Sequence, residues 1–223
     1  MLELEGISKS FPIRADRTVG AAHAPRRRPV LLDVRGNLPP GVTILTGASG
    51  AGKTTLLRVL AGIIRPDGGS LRYEGTEFQP RARWFRSCLG YLPQRVAVYP
   101  EMSVRVFLAH MAALKAMPVG LAGRLAQDVA GRLGLAACLD RPLGRISHGQ
   151  AKLACLAQAL LNDPDVLFLD EPFEGLDHSA GRSVAALLAR PGRIVLLTAH
   201  AQPRWPLPLA QLWLLRGGVL ERG

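Results

Sequence analysis

A glycine-rich loop between a short apolar strand and an amphipathic helix constrains this chain more than any other feature. The loop reads Gly47-Ala48-Ser49-Gly50-Ala51-Gly52-Lys53-Thr54-Thr55 and fits the pattern G-x-x-x-x-G-K-[ST]. A β-branched, apolar run precedes it over 42–46, and apolar residues spaced by three and four follow it over 54–61. Because glycines let the backbone curl tightly, backbone N–H groups and the positive end of a helix dipole converge on one spot.

This arrangement predicts a binding site for the phosphates of a nucleoside triphosphate. We expect Lys53 to reach the β- and γ-phosphates and the Thr54 hydroxyl to ligate Mg²⁺. A glycine-rich turn with a chance lysine is the alternative, but it leaves the flanking strand and helix unexplained. The predicted phosphate-binding residues are Gly47, Ser49, Gly50, Ala51, Gly52, Lys53, Thr54 and Thr55.

Two consecutive carboxylates, Asp170 and Glu171, follow the apolar run 166–169. Such a run before an acid is typical of a central parallel strand whose carboxyl end faces a nucleotide. We expect Asp170 to hold Mg²⁺, directly or through water, and Glu171 to orient and deprotonate the water that attacks the γ-phosphate. A solvated turn is the alternative, since Pro172 would end the strand sharply in either case.

A third segment, Ser147-His148-Gly149-Gln150, precedes a run with helical periodicity. A serine at the start of a helix is typical of an N-cap, and the same position can bind an anion. One chain does not need two such devices for one nucleotide, so the segment predicts a contact with a nucleotide held by another protomer. A simple N-cap is the alternative.

The bulk composition is that of one sizeable domain without a membrane span. The chain has 223 residues, 48% of them hydrophobic. None of its apolar runs approaches the ~18–20 residues that cross a bilayer. Glu3 and Glu5 stand where a signal peptide would be basic, so we expect a cytosolic chain without a signal peptide. Cys88, Cys138 and Cys155 lack metal-ligand spacing and are expected to be reduced thiols.

The formal net charge of +11 is high, and clusters such as Arg26–Arg28 and Arg81, Arg83 and Arg86 carry part of it. Nucleic acid, an anionic membrane surface and a composition bias toward arginine are three explanations. The sequence contains no recognisable nucleic-acid-binding module, which favours the other two. We therefore expect no nucleic-acid partner.

Taken in order, these segments resemble the ATP-binding cassette (ABC) of ABC transporters, over nearly the whole chain. Gly47–Thr55 is similar to the Walker A motif of that family, Asp170-Glu171 to its Walker B pair and Ser147–Gln150 to its signature. The resemblance also identifies Gln94 as the Q-loop glutamine, Gly175-Leu176-Asp177 as the D-loop, His200 as the switch histidine and Phe11 as the aromatic residue that stacks on adenine.

The resemblance implies an ATPase that converts ATP to ADP and phosphate with ATP and Mg²⁺ as cofactors. Two cassettes, in a homodimer or a heterodimer, would clamp two nucleotides head to tail and separate after hydrolysis. The implied catalytic residues are Glu171, His200 and Gln94, and the implied metal ligands are Thr54, Gln94 and Asp170. The residues implied to contact the nucleotide besides the glycine loop are Phe11, Ser147, Gly149, Gln150 and Asp177.

The resemblance further implies separate transmembrane permease subunits, through which the chain would sit peripherally at the cytoplasmic face of the membrane. Cassettes of multidrug, antibiotic or polymer exporters are resembled by residues 89–94, 99–104, 107–108, 112–115 and 157–164. The alternatives are an importer cassette, or a non-transport ABC ATPase that acts on nucleic acid or ribosomes. The cargo contacts would lie in the membrane subunits, outside this sequence.

The implied fold is α/β: a P-loop NTPase core with an antiparallel β subdomain and an inserted α-helical subdomain. We expect a single domain over 1–223, with a nucleotide-binding core at about 1–94 and 162–223 and a helical subdomain at about 95–161. Periodicity predicts antiparallel strands near 2–7, 30–35 and 70–74, core strands near 88–92, 166–170 and 194–198, and helices over 104–115, 121–133 and 150–161.

Three features depart from the family pattern. His148 stands at a signature position that is usually glycine, which we expect to be tolerated. The alternative is a side chain at the dimer seam that weakens closure or makes it pH-sensitive, since histidine titrates near neutrality. Phe173 replaces a small residue after the Walker B Glu-Pro, and Arg14–Pro29 looks like an insertion that forms a mobile or extended hairpin tip.

Overall fold

The computed structural model describes residues 1–13, 27–95 and 99–222. Over these ranges two β-sheets are surrounded by α-helices. The strands are β1 (Leu2–Pro12), β2 (Arg27–Leu38), β3 (Gly41–Thr46), β4 (Gly68–Tyr73), β5 (Thr76–Phe78), β6 (Leu89–Leu92), β7 (Val166–Leu169), β8 (Ile194–Thr198), β9 (Leu209–Arg216) and β10 (Val219–Arg222). The α-helices are α1 (Lys53–Leu60), α2 (Arg83–Ser87), α3 (Val104–Leu114), α4 (Val119–Arg132), α5 (His148–Leu160) and α6 (His178–Leu188).

The smaller sheet is antiparallel, with the strand order β2-β1-β4-β5. In β1, Leu2 and Leu4 point into the core while Glu3 and Glu5 are partly exposed. The pairing with β2 is irregular between Leu4 and Ile7. Because of this irregularity Ile7 is buried like Leu4, although the two residues are an odd number of positions apart. This is the antiparallel sheet that the sequence predicts, with longer strands.

The beginning of β2 corrects one prediction. Residues 27–29 were expected to belong to a hairpin tip, but β2 begins at Arg27, which pairs with Pro12. The Arg27 guanidinium donates from Nε to the Ser10 hydroxyl at 2.8 Å and from Nη2 to the Ser10 carbonyl at 2.9 Å. These bonds hold the arginine on β1 despite its low strand propensity. Residues 14–26 of the predicted tip lie outside the described residues.

The larger sheet has the strand order β10-β9-β3-β8-β7-β6. All neighbouring pairs from β9 to β6 are parallel, and β10 adds an antiparallel edge. Because the carboxyl ends of parallel strands meet at one edge, four segments converge there. They are the glycine loop after β3, Gln94 after β6, Asp170 after β7 and His200 after β8.

Both faces of the larger sheet are buried. In β7, Val166 and Phe168 join a hydrophobic cluster that contains α1, whereas Leu167 and Leu169 join a second cluster that contains α3, α4 and α5. The neighbouring strand β8 divides its side chains between the same two clusters. This explains why both strands are continuous apolar runs in the sequence.

Helices α3, α4 and α5 begin and end within two residues of the predicted bounds. Helix α5 packs so closely on β6 that a Cβ at Gly90 would lie 2.3 Å from the Ala159 carbonyl oxygen. Gln158 Nε2 also donates to the Tyr91 carbonyl at 2.9 Å. All three helices fall within the predicted helical subdomain, whose division from the core stays a prediction. Within the described ranges, no helix has both the length and the hydropathy of a membrane span.

Lys115, directly after α3, is a largely buried charge. Its Nζ donates to Asn162 Oδ1 at 2.6 Å. Burial lowers the pKa of Lys115 from 10.5 to about 8, because the low dielectric disfavours the charged form. The folded state therefore binds this proton more weakly than the unfolded state does.

We expect this group to make the free energy of unfolding rise with pH between about 8 and 10.5. In that window the folded chain has lost the Lys115 proton and the unfolded chain still binds it. Across the window the wild type should gain up to about 3 kcal/mol relative to Lys115→Met. Urea unfolding at a series of pH values measures this difference, and identical pH dependence in both proteins would contradict it.

Candidate functional site

The glycine loop after β3 folds back over its own lysine. Lys53 is the first residue of α1 and is buried, and its Nζ donates to the carbonyls of Gly47 at 2.7 Å and Ala48 at 3.1 Å. Gly47 has a φ of 148°, and a Cβ there would lie 2.3 Å from the Leu215 carbonyl oxygen, so the position requires glycine. The loop thus presents a buried ammonium that is bound to neutral oxygens.

The N-terminus of α1 is open to an anion. Gly52 is the N-cap residue, with a φ of 106° and no side-chain cap, and the first turn contains no acidic residue. Nothing lies within 4 Å of a Cβ built on Gly50, so the loop borders open space. Unsatisfied N–H groups and the helix dipole favour negative charge at this point.

A cavity of about 470 Å³ opens at this helix end. Its volume is in the range of ~300–1,000 Å³ that small-molecule sites usually have. Phe11 lies in its wall with Lys9 Nζ 5.6 Å from the ring centroid, and the stacking of adenine on Phe11 stays a prediction. The lining residues are Phe11, Arg28, Val30, Ser49, Gly50, Gly52, Lys53, Thr54, Thr55, Gln94, Glu171 and His200.

Asp170, at the end of β7, is fully buried and bonded to the neighbouring strand. Its Oδ1 accepts a hydrogen bond from the Thr198 hydroxyl at 2.6 Å, and the same hydroxyl oxygen accepts one from the Glu171 backbone N–H at 2.9 Å. Asp170 Oδ2 is buried and has no hydrogen-bond partner among the described residues. A buried carboxylate oxygen in that state needs a cation or a water.

These residues fit Mg²⁺, which prefers oxygen ligands and binds through one or two carboxylates together with substrate phosphates. Asp170 offers an unsatisfied carboxylate oxygen, and Thr54 and Gln94 line the adjoining cavity. Over the part of the chain that the structure describes, no group of three or more His, Cys, Asp or Glu side chains could hold a metal. A metal at Asp170 would therefore take its other ligands from neutral oxygens such as those of Thr54 and Gln94, from the substrate and from water.

Glu171 is held in an unfavourable backbone conformation. Its φ of 51° lies in the left-handed region, which typically costs a non-glycine residue about 1–3 kcal/mol and is found most often at functional sites. The N–H bond to Thr198 stabilises this conformation, and the side chain is buried. Burial raises the pKa of Glu171 above its ordinary value, and the charge of His200 opposes that shift. A carboxylate in such a place is suited to general-base chemistry.

His200 meets Glu171 at the mouth of the cavity. Its Nε2 lies 2.9 Å from Glu171 Oε1, and its side chain is 63% exposed. The second carboxylate oxygen, Glu171 Oε2, is buried without a hydrogen-bond partner in the described part of the chain. The structure therefore brings Lys53, Gln94, Glu171 and His200, each predicted separately, to one cavity.

The predicted residues of the signature and the D-loop do not line this cavity. Ser147 is the N-cap of α5 and forms a capping box: its hydroxyl accepts from the Gln150 N–H at 3.2 Å, and its own N–H donates to Gln150 Oε1 at 3.0 Å. Gly149 lies beside the D-loop, since a Cβ on it would be 3.4 Å from the Gly175 carbonyl oxygen. Asp177 caps α6 by accepting from the Ala180 N–H at 2.8 Å.

Three residues around the site were not predicted from the sequence. Arg28 lines the cavity beside Phe11, and Thr198 bonds to both acids. Lys152 on α5 is buried and donates from Nζ to the Glu174 carbonyl at 3.0 Å, which ties the signature helix to the segment after Glu171. A polar residue that ends an apolar strand and a lone lysine on an apolar helix face were signals that could have identified Thr198 and Lys152.

Known protein sequences are similar to this chain over most of its length. The sequence profile of the family described as ABC transporter matches residues 31–174. The Nod factor export ATP-binding protein I of Burkholderia pseudomallei (strain 1710b) is 39% identical over 160 residues, which are 70% of this chain and 52% of the relative. The molybdenum import ATP-binding protein ModC of Thiobacillus denitrificans (strain ATCC 25259 / T1) is 39% identical over 163 residues, 71% of this chain and 44% of the relative. The match thus spans about half the length of these curated relatives.

Solved structures show the same fold. The dimeric structure of MJ0796, a bacterial ABC transporter cassette, has a TM-score of 0.83 and 20% identity, and the match covers 100% of this chain and 97% of that one. The same values describe a post-hydrolysis state of MJ0796 bound to ADP and Pi. The predicted fold class, an α/β ABC cassette with a P-loop core, is confirmed.

We expect Thr198→Val to lower the free energy of unfolding by about 2–4 kcal/mol, because it leaves Asp170 Oδ1 and the Glu171 N–H buried without partners. Thr198→Ser keeps the hydroxyl and is the matched control, with a loss of about 1 kcal/mol for the methyl group. Denaturant unfolding of the nucleotide-free proteins measures both changes. Equal stability of the two variants would show that the hydroxyl bonds contribute little.

Proposed function

The chain belongs to the ABC transporter family, and from that premise we propose that it binds and hydrolyses Mg·ATP as the energy-coupling subunit of a membrane transporter. One observation carries the proposal: the Lys53 ammonium, the Glu171 carboxylate and the His200 imidazole line one cavity at the carboxyl edge of the larger sheet. Hydrolysis of a γ-phosphate needs a cradle for phosphate oxygens, an oriented water and a group that accepts its proton.

Binding begins at the glycine loop. In the proposed complex, Lys53 exchanges the carbonyls of Gly47 and Ala48 for oxygens of the β- and γ-phosphates, which are charged and therefore stronger acceptors. Phe11 stacks on adenine at the other end of the cavity. Mg²⁺, when bound at Asp170, Thr54 and Gln94, would neutralise charge on the phosphates.

Glu171 is the proposed general base. Its raised pKa makes the carboxylate a better proton acceptor than an exposed glutamate, and it takes a proton from the water that attacks the γ-phosphate. His200 holds one carboxylate oxygen at 2.9 Å and leaves the other, Oε2, for the water. The imidazole can then turn toward the departing phosphate and donate a hydrogen bond to it.

The signature residues of a second copy complete the proposed site. Ser147, Gly149 and Gln150 do not line their own chain's cavity, which supports the proposal that they contact a nucleotide bound by the other copy. The D-loop residue Asp177 begins α6 close behind them. The solved cassette of the same fold is described as dimeric, which supports the pairing of two copies. Hydrolysis would remove the γ-phosphate contacts and let the two copies separate.

We propose export through separate transmembrane subunits at the cytoplasmic face of the membrane. The exporter-like segments 89–94, 99–104 and 157–164 support this direction. Relatives named for export and for import have the same 39% identity, so overall similarity does not decide between them. An importer cassette is the second candidate for that reason.

Glu171→Gln should keep ATP binding, abolish most hydrolysis and accumulate a nucleotide-bound dimer, because an amide cannot accept the proton of the attacking water. Size-exclusion chromatography with Mg·ATP and a phosphate-release assay measure the two effects. Robust turnover by this variant would remove Glu171 from the role of general base.

Two further variants serve as controls for this experiment. Lys53→Ala should lose most ATP affinity, because the variant lacks the ammonium that would bind the β- and γ-phosphates. Gly149→Asp, combined with Glu171→Gln, should bind ATP as a monomer but form no dimer, because a second carboxylate would face the γ-phosphate. An ATP-induced dimer in the Gly149→Asp background would contradict the proposed signature contact.

ATP hydrolysis should be stimulated by a co-expressed membrane subunit and not by DNA or RNA. The steady-state ATPase rate, measured with permease in detergent or with added nucleic acid, separates a transporter from a non-transport ABC ATPase. Stimulation only in the presence of a soluble binding protein would favour the importer. Stimulation by nucleic acid alone would overturn the transport proposal.

A further inference from the structure

Trp205 lies at a junction behind the catalytic edge that the proposed function does not use. It follows β8 in the segment 199–208, which has no helix or strand, and it is only 8% exposed. Its ring stacks on Phe173 with a centroid distance of 4.9 Å and an interplanar angle of 19°. Phe173 is two residues from Glu171, and Trp205 is five residues from His200. We call this pair the Phe173–Trp205 stack.

The tryptophan is fixed on its other side by α6. Its Nε1 donates to the His178 carbonyl at 3.1 Å. A Cβ at Gly181 would lie 2.2 Å from the Trp205 ring, so the helix makes room for the indole with a glycine. A large ring that is stacked, hydrogen-bonded and pressed against a helix has one orientation. The indole is therefore a fixed point in a segment that lacks regular backbone hydrogen bonding.

The Phe173–Trp205 stack lies close to the proposed catalytic residues Glu171 and His200. A second cavity of about 400 Å³ is lined by Phe173 and Trp205 together with Glu171, Thr198 and His200. In the described part of the chain, the His200 side chain makes one polar contact, to Glu171. Since that side chain is 63% exposed, packing of its own does not determine where it points.

We propose that the Phe173–Trp205 stack positions His200 against Glu171, by clamping the segment after His200 to the segment after Glu171. The inference rests on the proposed ATPase function. Trp205 is a positioning residue in this account, because it touches neither the nucleotide nor the water. Phe173 has a role in this account as well, because its ring is the stacking partner of the indole.

Because of its position, the Phe173–Trp205 stack should affect the turnover of ATP more than the binding of ATP. Within one chain, the contacts proposed for adenine and for the phosphates come from β1, the glycine loop and α1, none of which contains Phe173 or Trp205. Misplacing a reacting group by about 1 Å can reduce the rate 10²-fold, whereas nucleotide affinity depends on the separate phosphate cradle. Loss of the stack should therefore reduce kcat and leave KM for ATP nearly unchanged.

The test compares Trp205→Leu, Trp205→Phe and Phe173→Leu in the full chain, with Trp84→Leu as the matched control. Trp84 belongs to an aromatic cluster with Phe78 and Phe85, is 47% exposed and does not line the catalytic cavity. We expect Trp205→Leu and Phe173→Leu to lower kcat about 10-fold or more, with KM for ATP within about twofold. Trp205→Phe should restore most of kcat, because a phenyl ring can still stack.

The Trp205→Leu substitution in a His200→Ala protein tests whether the stack changes kcat through His200. If it does, Trp205→Leu should lower the residual rate of His200→Ala by less than about twofold, because the group it positions is already absent. An equal fold-loss in both backgrounds would overturn the inference, as would a failure of Trp205→Phe to restore kcat or an equal loss in Trp84→Leu. If Trp205→Leu does not fold, Phe173→Leu carries the same comparison.

The outcomes separate this inference from the proposed function. A wild-type chain that binds and hydrolyses no ATP would refute the function, and the stack would then have no reaction to serve. A wild-type chain that hydrolyses ATP while Trp205→Leu turns over normally would refute only the positioning role.

Discussion

The parallel pairing of β7 with β8 is the constraint on which the candidate site depends. The strands pair in the register Leu169↔Leu197, which places Asp170 beside Thr198 and allows the 2.6 Å hydrogen bond between them. Both faces of these strands are buried, so a slip by one residue would exchange the two hydrophobic clusters. One register therefore determines where both acids lie, and it also determines where β8 delivers His200.

At that edge the carboxylates of Asp170 and Glu171 are buried among apolar residues. The protein provides hydrogen-bond partners for only part of their oxygen atoms. Thr198 and His200 each bond one carboxylate oxygen, while Asp170 Oδ2 and Glu171 Oε2 stay buried without partners among the described residues. Leaving such atoms unsatisfied lowers stability. A ligand that brings a cation and a water to this edge would give both oxygen atoms a partner. Relief of their unsatisfied burial would then contribute to the binding free energy.

What the sequence predicted well is local. Some elements are indicated by a pattern that spans only a few consecutive residues. They are the glycine loop, the apolar runs 166–169 and 194–198 and the helices within 104–160. Helix α6 had a readable signal that was missed, since its buried residues Gly181, Val184, Ala185 and Leu188 follow a helical spacing. The β9–β10 hairpin had a readable signal, since Gly217 and Gly218 both adopt positive φ in its two-residue turn. Contacts such as Thr198 with Asp170, or Trp205 with Phe173, join distant residues and leave no local pattern.

The two interpretations of Ser147, an N-cap and a contact for another protomer's nucleotide, are physically compatible. In the capping box the Ser147 oxygen and Gln150 Oε1 act as acceptors for backbone N–H groups. The hydroxyl proton of Ser147 and the amide protons of Gln150 are not used by those two bonds and can still be donated. Capping orients the donors at the start of α5, where the helix dipole already favours an anion. In the proposed dimer the N-cap would therefore be a preorganised half-site, because the helix would keep its cap when a phosphate binds.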